Sequence, residues 1–258
     1  MKDKNICIFG GAGFVGQNLA DKLSASNKVT IMDIIEKPIW LSSQKISYID
    51  LSKSTYSSID PSVFDYIFLL AGNASVSKSV LNPKNDIESN TLSLLNLLSV
   101  SDFSKTKIIF FSTAAVYGEM KYHNQLSPIS PYGISKLCSE NYLKYYNKNY
   151  GIPVLICRFF SIFGKYNNKQ VIFDLTKKIK EKHEDITIVN PGNKRDFIHI
   201  EEAINMLLFV CEKSTFKGET YDIGTGTSLS IIQLYEKISK ILGVRQTVTA
   251  KIENYIGD

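Results

Sequence analysis

The feature that most constrains the fold of this chain is an alternation of short apolar runs with longer segments of helical periodicity. The runs have the length of β-strands: "NICIFG" (5–10), "KVTIMD" (28–33), "KISYID" (45–50), "YIFLLAG" (66–72), "KIIFFST" (107–113) and "PVLICRFF" (153–160). Helical patterns lie between them, at 14–26, 86–103 and 132–150. Uninterrupted apolar strands that alternate with helices are typical of a parallel sheet covered on both faces. The sequence therefore predicts an α/β fold.

The second half of the chain follows a looser pattern. After Gly164, residues 171–183 and 201–213 look helical, and "TYDIGTGTSLS" predicts a strand, a glycine turn and a helix that runs to about residue 242. A chain of 258 residues is long enough for one large domain with a smaller lobe. We therefore expect a main domain of residues 1–161, to which 196–225 return, and a small interleaved lobe of residues 162–195 and 226–258.

Composition argues against several classes of function. The net charge is +5, but the 30 Lys and Arg residues are spread along the chain, so nucleic acid is not an expected partner. The apolar runs are too short to span a bilayer and "MKDK" leads directly into a strand, so we expect neither membrane insertion nor a signal peptide. The four cysteines are far apart, which predicts buried reduced thiols, a cytoplasmic location and no metal site.

The stretch "GGAGFVG" predicts a phosphate-binding turn. It places Gly10, Gly13 and Gly16 between the first strand and the first helix. Glycines at these positions allow a tight turn, a close approach of the backbone to a pyrophosphate, and close packing of helix and strand. The N-terminus of the helix then offers free N–H groups to the anion. A dinucleotide is the expected ligand.

Asp33 predicts which dinucleotide is bound. It closes the second strand, where a carboxylate accepts hydrogen bonds from the adenosine ribose hydroxyls. A carboxylate there repels a 2′-phosphate, and no Arg follows it immediately. The sequence thus favours NAD over NADP as the cofactor.

The run "SPISPYGISK" brings a tyrosine and a lysine onto one side of a helix. Tyr132 and Lys136 are four residues apart, so they lie about one turn from each other on a helix that opens near Pro131. The spacing alone is more typical of solvated surface residues. A chemical role depends on the rest of the sequence.

Seven motifs in a fixed order supply that context. With them the chain resembles the extended short-chain dehydrogenases/reductases, specifically the nucleotide-sugar epimerases and dehydratases. This resemblance implies a Rossmann-type, doubly wound parallel sheet with a small C-terminal substrate-binding lobe. The motifs that carry it are "GGAGFVG", "LLAGNASVSKS", "FFSTAAVYG", "SPYGISK", "RFFSIFG", "RDFIHIEE" and "YDIGTGTSLS".

The resemblance implies a role for each matching residue. It implies that NAD is held by Gly10, Gly13, Phe14, Val15, Gly16, Asp33, Asp50, Leu51, Ala71, Gly72 and Asn90, with further contacts from Tyr132 and Lys136. It implies that the catalytic residues are Thr113, Tyr132 and Lys136. It also implies a nucleotide-diphosphate sugar as substrate, contacted by Ser161 and Arg195, and a homodimer formed through the helices at 86–103 and 132–150.

In this family the tyrosine moves a proton while a hydride leaves the same sugar carbon. An unperturbed tyrosine has a pKa of about 10, which is too high for a base at neutral pH. We expect the ammonium of Lys136 and the positive nicotinamide to lower the pKa of Tyr132. Thr113 is expected to orient the substrate oxygen.

The residues after Thr113 narrow the reaction. The family's 4,6-dehydratases carry acidic residues there, and this chain has Ala114 and Ala115, which cannot transfer a proton. The expected activity is therefore a nucleotide-sugar 4-epimerase. An NAD(P)H-dependent 4-keto-sugar reductase, a C4 dehydrogenase and an inactive cofactor-binding module are the alternatives.

Two features depart from the family pattern. Ser161 stands where the epimerases usually have Asn, and Tyr255 stands where an Arg often meets the diphosphate. The sequence ends at Asp258, before the usual C-terminal helices, so the expected substrate lobe is a truncated one. Of the histidines, His199 is expected to be structural and His123 to be solvated.

Overall fold

The computed structural model describes residues 1–35, 46–51, 60–99, 102–119, 125–181 and 185–253. Within these ranges the strands are β1 (Asn5–Phe9), β2 (Lys28–Asp33), β3 (Ile46–Tyr48), β4 (Tyr66–Leu69), β5 (Lys107–Thr113), β6 (Val154–Phe159), β7 (Ser161–Phe163), β8 (Asp185–Val189), β9 (Lys194–His199), β10 (Lys217–Ile223), β11 (Ser228–Ser230) and β12 (Thr247–Lys251). The α-helices are α1 (Phe14–Ser24), α2 (Val76–Leu81), α3 (Pro83–Ile87), α4 (Ser93–Ser99), α5 (Pro131–Tyr150), α6 (Val171–Lys180), α7 (Ile200–Lys213) and α8 (Ile231–Leu242).

Seven of the strands form one parallel sheet in the order β10-β6-β5-β4-β1-β2-β3. The central strands are buried on both faces: in β1 the side chains from Ile6 to Phe9 are wholly inaccessible, and β6 is buried along its whole length. The strand order reverses between β1 and β4, which is the arrangement of a doubly wound fold. The predicted α/β, Rossmann-type class is confirmed.

The helix predicted over 132–150 is confirmed as α5, and its ends explain its position. The Ser130 side chain accepts a hydrogen bond from the Gly133 N–H at 3.2 Å, and Pro131 occupies the first helical position. Both choices favour a helix start, because they satisfy or remove N–H groups that have no partner within the helix. The helix ends at Gly151, which has a φ of 68°.

The helical segment predicted over 86–103 is interrupted. It begins earlier, at Pro83, and residues Glu88–Leu92 form a π-helical turn between α3 and α4. A π-turn contains one residue more than an α-turn and is found most often near functional sites. Sequence periodicity does not reveal it, since the apolar spacing on either side remains helical.

The chain divides into two compact units. Among the described residues, one unit comprises Met1–Phe159 with Ile204–Ile223, and the other comprises Phe160–Ala203 with 224–253. The first contains the seven-stranded sheet. The second contains a three-stranded sheet, β11-β9-β7, and the β12–β8 pair, with a core in which Leu175 and Ile179 of α6 join Leu234 of α8. Assignment of this second unit to substrate binding stays a prediction.

No helix within the described ranges combines the length and the apolar character that crossing a bilayer requires.

A buried ion pair fixes α5 against the sheet. Arg158 of β6 donates from Nε and Nη2 to the two carboxylate oxygens of Glu140 at 2.9 and 2.7 Å, and the Ser112 hydroxyl donates to the same carboxylate at 2.5 Å. Glu140 is wholly buried. Removal of one partner would leave the other charge buried without compensation, which is far costlier than removal of both.

We expect Arg158→Met to lower the free energy of unfolding by about 3–5 kcal/mol, because Glu140 then stays charged and buried. The double variant Glu140→Met/Arg158→Met should recover most of that loss. Urea denaturation followed by circular dichroism measures both. Lys144→Met is the control: its ammonium lies 3.9 Å from Glu140 but is 39% exposed, so its loss should cost about 0–1 kcal/mol. Equal destabilisation by the single and double variants would contradict the argument.

Candidate functional site

The predicted cofactor and catalytic residues of the first unit lie at one edge of the sheet. Gly10 follows β1, Asp33 ends β2, Ala71 comes shortly after β4, and Thr113 ends β5. All of these strands are parallel, so their carboxyl ends share an edge, where doubly wound folds bind their ligands.

The glycine turn is built by close backbone contacts. Gly10 has a φ of +80°, and a Cβ on it would lie 2.6 Å from the Ala71 nitrogen. A Cβ on Gly16 would lie 2.5 Å from the Gly10 carbonyl oxygen. Neither position has room for a side chain. The turn is therefore pressed against the chain after β4 on one side and against α1 on the other.

Gly13 is less confined than these two glycines. It is exposed, and a Cβ on it would approach only the Gly10 carbonyl oxygen, at 3.3 Å. It is the N-cap of α1, whose first turn contains Phe14 and Val15, and no side chain caps this helix end. The helix N-terminus thus has unpaired N–H groups and no acidic residue in its first turn, as a site for an anion requires.

Asp33 joins the turn to the second strand. Its carboxylate accepts a hydrogen bond from the Ala12 N–H at 2.9 Å and another from the Ile35 N–H at 3.1 Å. Each carboxylate oxygen can accept more than one hydrogen bond, so both retain capacity for ribose hydroxyls. The position fits the role predicted from sequence.

Asp50 and Leu51 follow β3, the edge strand next to β2. Leu51 is buried in the main core, and its carbonyl oxygen accepts from the Asn96 side chain at 3.4 Å. Asp50 is half-buried. Their contact with the adenine stays a prediction.

Gly72 and Asn90 form a tight pair. Gly72 has a φ of +143°, and a Cβ on it would lie 2.2 Å from Oδ1 of Asn90. This oxygen is buried and accepts no hydrogen bond from any described residue, whereas the Nδ2 of Asn90 donates to Asp86 and to Ser135, both at 3.1 Å. Asn90 therefore keeps a free acceptor beside the loop that follows β4.

The three predicted catalytic residues come from two elements. Thr113 ends β5, and Tyr132 and Lys136 lie in the first two turns of α5. The Thr113 hydroxyl lies close enough to the Tyr132 phenol to act on its pKa. Burial raises the pKa of Tyr132 to about 12; the neighbouring Thr113 hydroxyl opposes this rise, and the charge of Asp86 adds to it.

Lys136 is 5% exposed, and its ammonium lies 4.2 Å from the centre of the Phe110 ring. Burial lowers the pKa of Lys136 to about 8, while the charges of Glu140 and Asp86 oppose the shift. In the chain without cofactor Lys136 is not among the groups that act on the phenol, so the expected lowering of the Tyr132 pKa by Lys136 together with the nicotinamide stays a prediction. Among the described residues, the groups that act on the phenol are Thr113 and Asp86.

The two predicted substrate residues lie in the second unit. Ser161 begins β7 and is paired with Phe197, and Arg195 of β9 is paired with Leu229. Next to Arg195, the Asp196 carboxylate accepts from the N–H groups of Thr225 and Gly226 at 3.0 and 2.7 Å. The glycine turn at 224–226 is thereby tied to β9. Contact of Ser161 and Arg195 with substrate stays a prediction.

The described part of the chain contains no group of three His, Cys, Asp or Glu side chains that could hold a metal ion. His199 packs edge-on against Phe163, with ring centres 5.4 Å apart, and its Nδ1 accepts from the Glu201 N–H at 3.4 Å. His123, His183 and Tyr255 lie outside the described residues.

Sequence reasoning missed two buried carboxylates. Asp86 stands four residues before Asn90, and Glu140 stands four residues after Lys136. These spacings place each acid one helical turn from a predicted site residue, and that is the only signal in the sequence. Acids in helices of this composition are usually solvated, so the signal is weak.

Comparisons with known proteins agree with this geometry. The model of the NAD dependent epimerase/dehydratase family matches residues 6–224. That is most of the chain. The chain belongs to this family, and it is an NAD-dependent enzyme of the extended short-chain dehydrogenase/reductase type.

Three relatives illustrate the range of the family. The UDP-N-acetylglucosamine 4-epimerase of Methanobrevibacter ruminantium M1, solved with UDP-N-acetylmuramic acid, is 30% identical, with a TM-score of 0.83 over 100% of this chain and 88% of that one. The UDP-glucuronic acid 4-epimerase from Bacillus cereus, solved with UDP-glucuronic acid and NAD, is 26% identical, with a TM-score of 0.82 over 98% and 88%. UDP-glucuronic acid decarboxylase 1 of Xenopus tropicalis is 27% identical over 93% of this chain and 61% of its own.

The residues present fit the family's cofactor. The turn at Gly10 and Gly16 has no room for side chains, Gly13 leaves its outer face open, Asp33 retains acceptor capacity, and the Oδ1 of Asn90 is a buried acceptor with no described partner. These features are what a pyrophosphate and its riboses require of a backbone cradle.

We expect alanine substitutions at Gly13 and Gly16, at the start of α1, to have different effects. Gly16→Ala should lower the free energy of unfolding by about 1–3 kcal/mol, because its Cβ would meet backbone atoms. Gly13→Ala should leave stability nearly unchanged but weaken NAD binding by about tenfold or more, because the methyl group would occupy the face that approaches the pyrophosphate.

Thermal denaturation and isothermal titration with NAD, after removal of any bound cofactor, measure the two effects. Gly192→Ala is the control, since a Cβ there meets nothing within 4 Å. Wild-type NAD affinity in a folded Gly13→Ala protein would contradict the proposed cradle.

Proposed function

We propose that this protein is a nucleotide-sugar 4-epimerase, which inverts the configuration at C4 of a sugar attached to a nucleoside diphosphate. The observation that carries the proposal is the combination of Thr113, Tyr132 and Lys136 at the carboxyl edge of the sheet. Two alanines follow Thr113 directly in the sequence. The relatives solved with UDP-sugars support the same substrate class.

The residues after β5 argue against the family's other reactions. Ala114 and Ala115 lie in a single 3₁₀ turn that follows Thr113 directly. Elimination across C5 and C6, or loss of a C6 carboxyl group, needs further proton transfer close to the sugar ring. Alanine cannot move a proton, so these two positions argue against dehydration and decarboxylation.

The chain's own residues supply binding and proton transfer. Thr113, whose hydroxyl lies beside the Tyr132 phenol, is proposed to hold the sugar 4-oxygen, and the Tyr132 phenolate is proposed as the base that removes its proton. NAD, which the glycine turn and Asp33 would hold, would supply the acceptor and donor of the hydride at C4, and its oxidised form would add a positive charge to the site. Lys136 is buried one turn from Tyr132, on the same face of α5.

The pKa of Tyr132 indicates when proton removal becomes possible. In the cofactor-free chain it is about 12, so at neutral pH the phenol keeps its proton. A positive charge beside the phenol favours the phenolate and lowers this pKa. We therefore infer that proton abstraction depends on prior occupation of the cofactor site, and that the rate rises with pH as Tyr132 loses its proton.

On the substrate side, Arg195 is proposed to meet the diphosphate and Ser161 a sugar hydroxyl. A guanidinium suits this role, because its planar donors match phosphate oxygens in pairs. Asp196, which holds the glycine turn at 224–226, keeps the neighbouring strand in place.

A homodimer is proposed through α5. Ile134, Tyr142 and Tyr145 are exposed and lie with Cys138 on one side of this helix. Cys138, Tyr142 and Tyr145 line a shallow groove there. Apolar side chains in a helical stripe are typical of an interface.

All four cysteines are free, and three are buried, which supports the proposed cytoplasmic location.

We expect Tyr132→Phe to lower turnover by about 10²–10⁴-fold, because it removes the acid/base group, while the protein still binds NAD. The assay is formation of the C4 epimer from UDP-, GDP-, CDP- and dTDP-sugars, together with quantification of NAD released on denaturation. The control is Tyr221→Phe, which removes the hydroxyl group of a tyrosine that is 40% exposed. Full activity in Tyr132→Phe would refute the mechanism. Stoichiometric release of NAD by the wild type fits recycling in an epimerase, and its absence would favour a reductase or dehydrogenase.

The variant Tyr142→Asp/Tyr145→Asp should sediment as a monomer at micromolar concentration. Each protomer would otherwise have to bury two new carboxylates against those of its partner. Phe209→Asp, on the exposed surface of α7, is the matched apolar-to-acid control and should stay dimeric. Sedimentation of the wild type as a monomer would refute the proposed dimer.

A further inference from the structure

The contact between α5 and the segment before β5 is unusual, because it is polar and buried. Six side chains with oxygen or nitrogen atoms lie in it, each at most 3% exposed: Ser79, Asp86, Asn90, Thr91, Ser135 and Ser139. They surround the first two turns of α5, which carry Tyr132 and Lys136. Ser79, for example, accepts a hydrogen bond from the Tyr132 N–H at 3.1 Å.

Asp86 is the charged member of this group. One carboxylate oxygen accepts from the side-chain amides of Asn73 and Asn90 at 2.6 and 3.1 Å, and the other accepts from the Ser135 hydroxyl at 2.6 Å. Ser135 lies between Tyr132 and Lys136 on the inner face of α5. The carboxylate is therefore fixed directly to the helix that carries both residues.

The donors to Asp86 are all neutral, which distinguishes it from Glu140. Glu140 is bound by both arms of the Arg158 guanidinium, and this neutralises much of its charge. Asp86 is solvated by two amides and a hydroxyl, so its negative charge stays uncompensated by direct contact with any described cation. In a buried site such a charge acts on its neighbours strongly.

Both predicted catalytic residues respond to this charge. Burial is the largest influence on both pKa values, raising that of Tyr132 and lowering that of Lys136; beside it, the charge of Asp86 raises both. Glu140 of α5 is the other charged group that faces Lys136, and it raises the pKa of Lys136 more than Asp86 does. Phe110, from β5, contributes an uncharged ring. Asp86 is the member of this set that acts on both residues.

We propose that Asp86 is a positioning residue for the reaction: its buried carboxylate, fixed to α5 through Ser135, places a negative charge at the part of the helix that carries Tyr132 and Lys136. The proposal rests on the roles of Tyr132 and Lys136 in the proposed function. It assigns Asp86 no contact with the sugar or with NAD.

Asp86→Asn is a conservative test. The amide oxygen can accept from Asn73 and Asn90 as before, and the amide nitrogen can donate to the Ser135 hydroxyl, which is able to accept. The shape of the site is kept and only the charge is lost. Glu88→Gln is the matched control: it removes a charge two residues away, where the carboxylate is half-exposed and 3.9 Å from the exposed Lys84.

The measurement is the titration of Lys136 in the folded, cofactor-free protein. Nitrogen-15 NMR of lysine-labelled protein follows the ammonium, and the signal of Lys136 is assigned by its absence from Lys136→Met. We expect the Lys136 titration, near pH 8 in the wild type, to move down by about one pH unit in Asp86→Asn, and to stay in place in Glu88→Gln. In the pH–rate profile, both limbs should move to lower pH.

An unchanged Lys136 titration in folded Asp86→Asn would overturn the proposal, as would a loss of rate that is equal at every pH. If Asp86→Asn does not fold, Asp86→Ser provides a second neutral residue and should show the same shift. Failure of both to fold would also count against the proposal, since the carboxylate would then be a purely structural group. Full activity in Tyr132→Phe would instead refute the proposed function and leave the Lys136 titration to be judged separately.

Discussion

The parallel hydrogen-bonded register of the central strands is the constraint on which the rest of this molecule depends. Phe9 is level with both Met32 and Leu69, and Leu69 is level with Phe110. Strands β1 and β4 thus end at the same height, and β5 continues for three more residues, about 10 Å, to Thr113. The glycine turn and the catalytic threonine are placed by this register, and a slip of one residue would separate them.

Burial of charge at the start of α5 serves position more than stability. Lys136, Glu140, Arg158 and Asp86 all lie in the first unit and are each at most 7% exposed. Replacement of such groups by apolar residues is often neutral or stabilising in other proteins. What they provide here is two anchors for α5: Arg158 of the sheet binds Glu140, and Asp86 of α3 binds Ser135.

The sequence predicted the parts of the molecule that depend on local pattern. The apolar runs became the strands of the main sheet, and Ser130, Pro131 and Gly151 set the ends of α5. The π-turn at Glu88–Leu92 and the burial of Asp86 and Glu140 were not predictable, because they depend on which helices pack together. The raised pKa of Tyr132 in the cofactor-free chain was not predictable for the same reason. Spacing placed Lys136 one turn away, whereas in the folded chain Asp86 acts on the phenol and the Lys136 ammonium lies over the Phe110 ring.

These charges give the resting site a definite protonation state. With pKa values of about 12 for Tyr132 and about 8 for Lys136, both groups hold their protons at neutral pH. A nucleotide sugar that entered first would therefore meet a phenol that can donate a proton but cannot accept one. Since oxidation at C4 begins with removal of a proton from the 4-hydroxyl, the residues themselves impose an order: the cofactor site must gain its positive charge before the sugar can react. An enzyme that keeps NAD bound between turnovers meets this requirement continuously, which fits the recycling of the cofactor in an epimerase.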